Sequence, residues 1–267
     1  MMKLTLKYIV LSFLSVTFLN PYVNSSLPDF TSLAEEYSSS VVNVSVVRKQ
    51  KEKESQSGQM RQSPPASPFD FFNDERFRDF FRNQPQKRKP QRTAGSGFII
   101  SDDGYIVTNN HVVEEAETIK ITLSNDEVYN AEVIGLDPRM DLALLKINPE
   151  IDLPYVSFGD SENSKVGEWV VAIGNPFGLG GTVTAGIISA LGRNIGSGPY
   201  DHFIQTDAPI NKGNSGGPLF NMNGEVIGVN TMIYSQTGGS VGIGFSIPSD
   251  LVKPVIDQLK KYGETRR

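Results

Sequence analysis

Short apolar runs separated by turn residues recur along most of the chain, a spacing that predicts strands rather than helices. They fall into two sets of six. The first comprises Val41–Val47, Gly97–Ser101, Tyr105–Thr108, Ile119–Leu123, Val128–Gly135 and Leu142–Ile147. The second comprises Trp169–Ile173, Thr182–Leu191, Phe203–Thr206, Pro218–Phe220, Glu225–Asn230 and Gly242–Ile247. Asp103-Gly104 and Asn223-Gly224 carry the signal of tight, two-residue hairpin turns. Helical spacing is confined to the two ends. Phe30, Leu33, Ala34 and Tyr37 share one side of a short helix within residues 28–40. Val252, Val255, Ile256 and Leu259 do the same between Ser249, read as an N-cap, and Gly263, read as the stop. Pro254 fits that helix only near its first turn.

Two stretches break the pattern. Residues 1–25 carry Lys3 and Lys7, an apolar run from Tyr8 to Leu19, and then small polar residues. This is the build of a secretory signal, too short to span a membrane as a helix. Val23 and Ser25 stand at the −3 and −1 positions of a cut after Ser25; an uncleaved anchor is the alternative. Residues 49–93 are rich in Gln, Ser, Pro, Arg and Lys, with phenylalanines at 69, 71, 72, 77, 80 and 81. So long a loop inside a compact domain is either functional or disordered. Phe77, Phe80 and Phe81 have the spacing of a short amphipathic helix that docks on another surface. Lys87, Arg88, Lys89 and Arg92 beside these aromatics invite an RNA-binding reading, but Asp70, Asp74, Glu75, Asp79 and the export signal argue against it.

Composition narrows the classes. The 267-residue chain has a net charge of −5, and loss of residues 1–25 removes two lysines and no acid. An acidic chain of this kind is not built to bind bulk nucleic acid. The absence of cysteine excludes disulfides, thiolate metal sites and attachment as a lipoprotein, so the fold rests on its core alone.

The chemistry is concentrated in Gly213-Asn214-Ser215-Gly216-Gly217-Pro218-Leu219. A serine among glycines, ahead of an apolar strand, can expose its hydroxyl while the N–H groups of Gly213 and Ser215 converge on one point, as an oxyanion hole requires. Glycine at 213 permits a backbone conformation that a β-carbon would oppose. On its own such a run is also a good turn. Only two histidines are available as a general base. His111 follows the apolar run Tyr105–Thr108, where a loop can present it; His202 reads as a surface residue. Asp141 opens the apolar run Leu142–Ile147, a costly place for an acid unless it accepts hydrogen bonds there. The chain order His111, Asp141, Ser215 is the chymotrypsin-like one, whereas α/β-hydrolases place the serine first.

Thr108-Asn109-Asn110-His111-Val112-Val113, Asp141-Leu142-Ala143-Leu144-Leu145-Lys146, Gly174-Asn175-Pro176-Phe177-Gly178, Gln205-Thr206-Asp207-Ala208 and the Ser215 run together resemble the HtrA/Do family of bacterial serine proteases, its DegP/DegQ-like group. The likeness extends over about residues 28–262. It implies an all-β, chymotrypsin-like double six-stranded β-barrel, into which the two sets of strands fit. It implies an ATP-independent serine endopeptidase, acting in the periplasm on misfolded or damaged exported proteins in the stress response. No cofactor and no metal is called for. The triad would be His111, Asp141 and Ser215, the oxyanion hole Gly213 and Ser215, and the working form a homotrimer or a larger assembly. The partners would be unfolded protein substrates, with no nucleic acid and no stable membrane insertion once the signal is cut. A chaperone-like holdase or peptide sensor with marginal proteolysis is the alternative, since fold alone does not decide function.

The corresponding division of the chain is a signal over 1–25, a helical segment over 26–40 that contributes to the trimer contact, a first barrel over 41–148 with a regulatory loop over 49–93, a second barrel over 149–248, and a helix over 249–267. In the family that helix leads to one or two peptide-binding PDZ domains, and this chain stops at their boundary. Two departures refine the resemblance. Asn214 stands where digestive relatives carry an aspartate that pairs with a new N-terminal ammonium, so zymogen cleavage is not implied; ordering of loops across subunit contacts is the switch expected instead. Six residues before Ser215 stands Pro209 rather than a trypsin-like aspartate, and Asp207 is two positions too early. By resemblance the substrate pocket is walled by Ile210, Ile233 and Ile243, which favours cleavage after small aliphatic residues.

Overall fold

The computed structural model describes residues 28–48, 92–176, 181–196, 200–211, 213–235 and 238–266. The signal expected over 1–25 and the phenylalanine-bearing part of the segment 49–93 lie outside the described residues. Twelve strands close into two antiparallel barrels of identical winding. The first contains β1 (Val41–Arg48), β2 (Arg92–Ile99), β3 (Tyr105–Thr108), β4 (Ala116–Thr122), β5 (Val128–Asp137) and β6 (Leu142–Lys146), in the ring order β1-β2-β3-β6-β5-β4. The second contains β7 (Trp169–Gly174), β8 (Thr182–Arg193), β9 (Phe203–Thr206), β10 (Pro218–Phe220), β11 (Val226–Ile233) and β12 (Gly244–Pro248), in the order β7-β8-β9-β12-β11-β10.

The seam between the barrels explains why several strands read as unbroken apolar runs instead of alternating. In β6, Ala143 and Leu145 fill the first barrel, while Leu142 and Leu144 point the other way into a cluster shared by both barrels. In β7, Val170 and Ala172 fill the second barrel and Val171 and Ile173 enter the same shared cluster. A strand buried on both faces has no solvent side to mark with polar residues. Each such valine, leucine or isoleucine side chain, once buried, contributes about 1.5–3 kcal/mol.

Helices close the seam at two places. Helix α1 (Phe30–Tyr37) buries Leu33 in the shared cluster, with Phe30 edge-on to Trp169 at 5.5 Å and Tyr37 against Phe220 at 5.4 Å. After the one-turn helix α2 (Asn110–Val113), the last is α3 (Ser249–Tyr262), whose Val252, Val255, Ile256 and Leu259 complete the shared cluster.

Four local expectations need correction. The Asn223-Gly224 hairpin is not a two-residue turn: Asn221 N–H bonds to Glu225 O at 2.9 Å, leaving a three-residue loop whose Gly224 takes the left-handed conformation, φ +77°. At Asp103-Gly104 the closing bond runs from Ile100 N–H to Tyr105 O at 2.9 Å, so that loop has four residues. Ser249 does not cap α3. Its hydroxyl donates to Gly159 O at 2.7 Å, and the cap comes from Ser161, whose Oγ accepts from Asp250 N–H at 3.1 Å and donates to Asp250 Oδ2 at 2.6 Å. Pro254 lies in the second turn of α3, beyond the first turn expected to tolerate it, and the helix continues through it to a left-handed Gly263.

Candidate active site

His111 is presented by α2 rather than by an open loop. Asn109, extended at φ −80° and ψ 149°, ends β3 and starts the turn. Val112 and Val113 anchor the turn in the core of the first barrel, which leaves His111 facing outward. Asp141 sits in the turn before β6 with φ 55°, a conformation rare outside glycine. Its carboxylate accepts three hydrogen bonds: His111 Nδ1 at 2.7 Å, the His111 amide at 2.9 Å, and Thr231 Oγ1 at 2.6 Å. Its carbonyl takes Asn109 Nδ2 at 2.9 Å and the Asn110 N–H at 3.2 Å. The strained backbone is thus held from both ends, and both carboxylate oxygens are engaged. With Nδ1 donating to Asp141, the imidazole presents Nε2 as the acceptor. The two side chains are only 17% and 10% exposed, so water competes little for their contact. Arg48 braces the other end of the histidine, Nη2 donating to the His111 carbonyl at 3.0 Å.

Ser215 comes from the second barrel, in the turn before β10, and is 5% exposed. Its turn packs directly on β2 and the end of β3. A β-carbon on Gly216, which has φ +83°, would fall 2.3 Å from Ser96 O, 2.4 Å from Thr108 Oγ1 and 3.1 Å from the Asn109 nitrogen. That crowding requires glycine and sets Ser215 beside the residues leading into α2. Gly213 is glycine for a different reason than expected. Its φ is not left-handed; a β-carbon there would sit 1.9 Å from Pro176 Cβ. Within Gly213–Gly217, the N–H groups of Asn214, Gly216 and Gly217 bond to Asn211, Asn230 and Asn214 carbonyls at 3.1, 2.7 and 3.0 Å. Those of Gly213 and Ser215 have no partner among the described residues, and neither has the Ser215 hydroxyl.

Of the residues expected to wall the pocket, Ile210 is buried with Ile233 packed against the same cluster; Gly244 pairs with Ile233, and a β-carbon on it would lie 2.6 Å from Ile210 Cγ1. Ile243 stands just before β12 and packs against the shared cluster. Asp207 is exposed and its Oδ1 accepts from the Ile187 N–H of β8 at 2.7 Å. His202 is exposed, as its sequence context indicates. Thr231 escaped sequence reasoning; the one available sign was the polar pair Asn230-Thr231, buried inside the apolar run of β11. Among the described residues no group of three or more His, Cys, Asp or Glu could hold a metal ion.

Two such barrels, with the Ser215 turn on one and the His111–Asp141 pair on the other, make the chymotrypsin-like class of serine protease fold. The trypsin-like peptidase domain family matches residues 95–229. Among curated proteins, a "probable periplasmic serine endoprotease DegP-like" of Chlamydia pneumoniae is 56% identical over 211 residues, 78% of this chain and 43% of that protein. One of the same name from Marinomonas sp. (strain MWYL1) is 49% identical over 249 residues, 91% of this chain and 52% of that protein. Among solved structures, the HtrA-type protease AlgW with tripeptide superposes with a TM-score of 0.70 at 36% identity, over 88% of this chain and 65% of that one. The chain belongs to the trypsin-like peptidase family, in its HtrA, DegP-like branch. It spans about half the length of the curated relatives it matches. Those relatives are named periplasmic, and among the described residues no helix is long and apolar enough to cross a membrane.

Proposed function

We propose that the protein is an ATP-independent serine endopeptidase of the periplasm that degrades misfolded or damaged exported proteins, as a homotrimer or a larger assembly. The observation that carries the catalytic part is the triply bonded Asp141 carboxylate holding His111 Nδ1 at 2.7 Å. A carboxylate so fixed sets the imidazole tautomer and stabilises the cation that forms during proton transfer. In the reaction Ser215 Oγ attacks a peptide carbonyl while His111 Nε2 takes its proton. The oxygen of the tetrahedral intermediate is received by the Gly213 and Ser215 N–H groups, and collapse expels the amine, which takes the proton from His111. Water then repeats the sequence on the acyl-enzyme, and both product ends leave with Ser215 regenerated.

That the substrate is protein is supported by the names of the relatives, and its aliphatic character by the proximity of Ile210 to Gly244, with Ile233 beside them and Ile243 as the further wall the resemblance implies. Extended, unfolded chains can thread aliphatic side chains into such a slot; folded proteins hide them. Digestion of casein by the purified protein, with and without a serine-reactive inhibitor, tests the reading. Cleavage that the inhibitor stops is expected. Intact casein beside suppressed aggregation of an unfolded client would favour a binding protein instead.

A further inference from the structure

Ser96, on β2 of the first barrel, is fully buried and reaches across to the turn that carries Ser215. Its N–H donates to the Ser215 carbonyl at 2.9 Å. Its hydroxyl donates to the Gly213 carbonyl at 2.6 Å and accepts from the Asn175 N–H at 2.8 Å. Its carbonyl accepts from Thr108 Oγ1 at 2.7 Å. Every polar atom of the residue is used, and all but the last of these bonds cross to the second barrel.

These bonds single out particular peptide planes. The Gly213 carbonyl belongs to the plane between residues 213 and 214, whose N–H end is held by Asn211 O at 3.1 Å. The Ser215 carbonyl belongs to the plane between 215 and 216, whose N–H end is held by Asn230 O at 2.7 Å. A peptide plane is rigid, so one bonded at both ends cannot turn. Between the two lies the plane of 214 and 215, and its N–H, that of Ser215, is left without a partner among the described residues.

We propose that Ser96 is a positioning residue of the hydrolytic site: by pinning the planes on either side, it aims the Ser215 N–H at the developing oxyanion and fixes the direction of the Ser215 side chain. This rests on the reading of Ser215 as the nucleophile. Ser96 touches neither substrate nor reacting atoms. The place has room for little else, since a β-carbon on Gly174 would lie 3.1 Å from Ser96 Oγ and one on Gly217 3.3 Å from Ser96 Cβ. Alanine at 96 keeps the backbone bond to Ser215 O and removes only the hydroxyl. The plane of 213 and 214 then loses one of its two ties, while the Asp141–His111 contact and the pocket around Ile210 are untouched. Catalysis should suffer and substrate binding should not.

The test compares the full chain with Ser96→Ala, Ser96→Cys and Ser215→Ala on a fluorogenic peptide. It adds the affinity of each for a peptide aldehyde, whose hemiacetal with Ser215 puts an oxygen in the hole. Outright loss of an oxyanion donor costs about 10²–10³ in kcat, and a donor that is present but badly aimed retains part of that. Ser96→Ala should therefore lose about 10- to 100-fold in kcat and a similar factor in aldehyde affinity, with KM within about twofold and the pH midpoint of kcat/KM unmoved. Ser96→Cys, with a weaker donor of similar shape, should fall between the two, and it carries the test if the alanine variant does not fold. Wild-type kcat and aldehyde affinity in the serine-96 variants, beside an inactive Ser215→Ala, would overturn the role of Ser96 alone. A Ser215→Ala protein that still cleaves would instead overturn the nucleophile on which it rests.

Discussion

Thr231 Oγ1 donates to Asp141 Oδ2 at 2.6 Å, from the middle of β11 in the second barrel to the carboxylate that orients His111 in the first. The bond is fully buried at the threonine. It shares one oxygen with the imidazole, since the same Oδ2 receives His111 Nδ1. His111 and Asp141 lie on one barrel and Ser215 on the other, so a tie between barrels at this carboxylate bears directly on the alignment that the proposed triad requires.

Thr231→Val removes the hydroxyl and keeps the shape. A hydrogen bond to a charged group is worth about 1.5–3 kcal/mol, which corresponds to a loss of roughly 10- to 100-fold in kcat/KM if it is expressed in the transition state. Thr231→Ser should recover most of the rate. Steady-state kinetics on a peptide substrate decide it, and a valine variant with unaltered kcat/KM would show that two hydrogen bonds suffice to hold the carboxylate.

Bond selection follows from the pocket. In the proposed pocket a basic side chain would lie beside Ile210 and Gly244, while Asp207 Oδ1 accepts from the Ile187 amide. An unpaired lysine there faces a desolvation cost of several kcal/mol. Mass-spectrometric mapping of casein fragments should find cuts mainly after Val, Ala and Ile. A majority after Lys or Arg would mean that Asp207 lets go of β8 and turns to the substrate; a majority after Phe or Tyr would mean that the slot is wider than its isoleucines suggest.

Leu144→Ala probes the seam. The side chain is fully buried in the cluster shared by both barrels. The expected loss is about 2–5 kcal/mol, seen as a lower midpoint in thermal or denaturant unfolding. A change below about 0.5 kcal/mol would mean that the barrels contribute separately to stability, with little strength in their contact.

The strands were legible because turn residues punctuate every apolar run, and because His111, Asp141 and Ser215 sit in distinctive local sequences. What stayed hidden depends on contacts distant in sequence. Thr231 and Ser96 look like ordinary strand residues until the second barrel is folded against the first. Gly213 looked like a conformational glycine, yet the excluding atom belongs to Pro176, far from it along the chain. Ser249 looked like a cap because serine before a helix usually is one; here Ser161 supplies the cap from another loop, and Ser249 is drawn to Gly159. The hairpins were placed correctly and sized wrongly, since Asn-Gly and Asp-Gly favour left-handed backbone without fixing how many residues precede it.

Labelling with a fluorophosphonate, followed by peptide mapping of the modified residue, tests the central assignment most directly. The probe forms a covalent bond only with a serine whose hydroxyl is activated by a base. The label is expected on Ser215 alone, absent from Ser215→Ala, and slowed by on the order of 10⁴-fold or more in His111→Ala, with the fold of each variant intact by circular dichroism. A label on another serine, or undiminished labelling in the His111→Ala protein, would contradict the account.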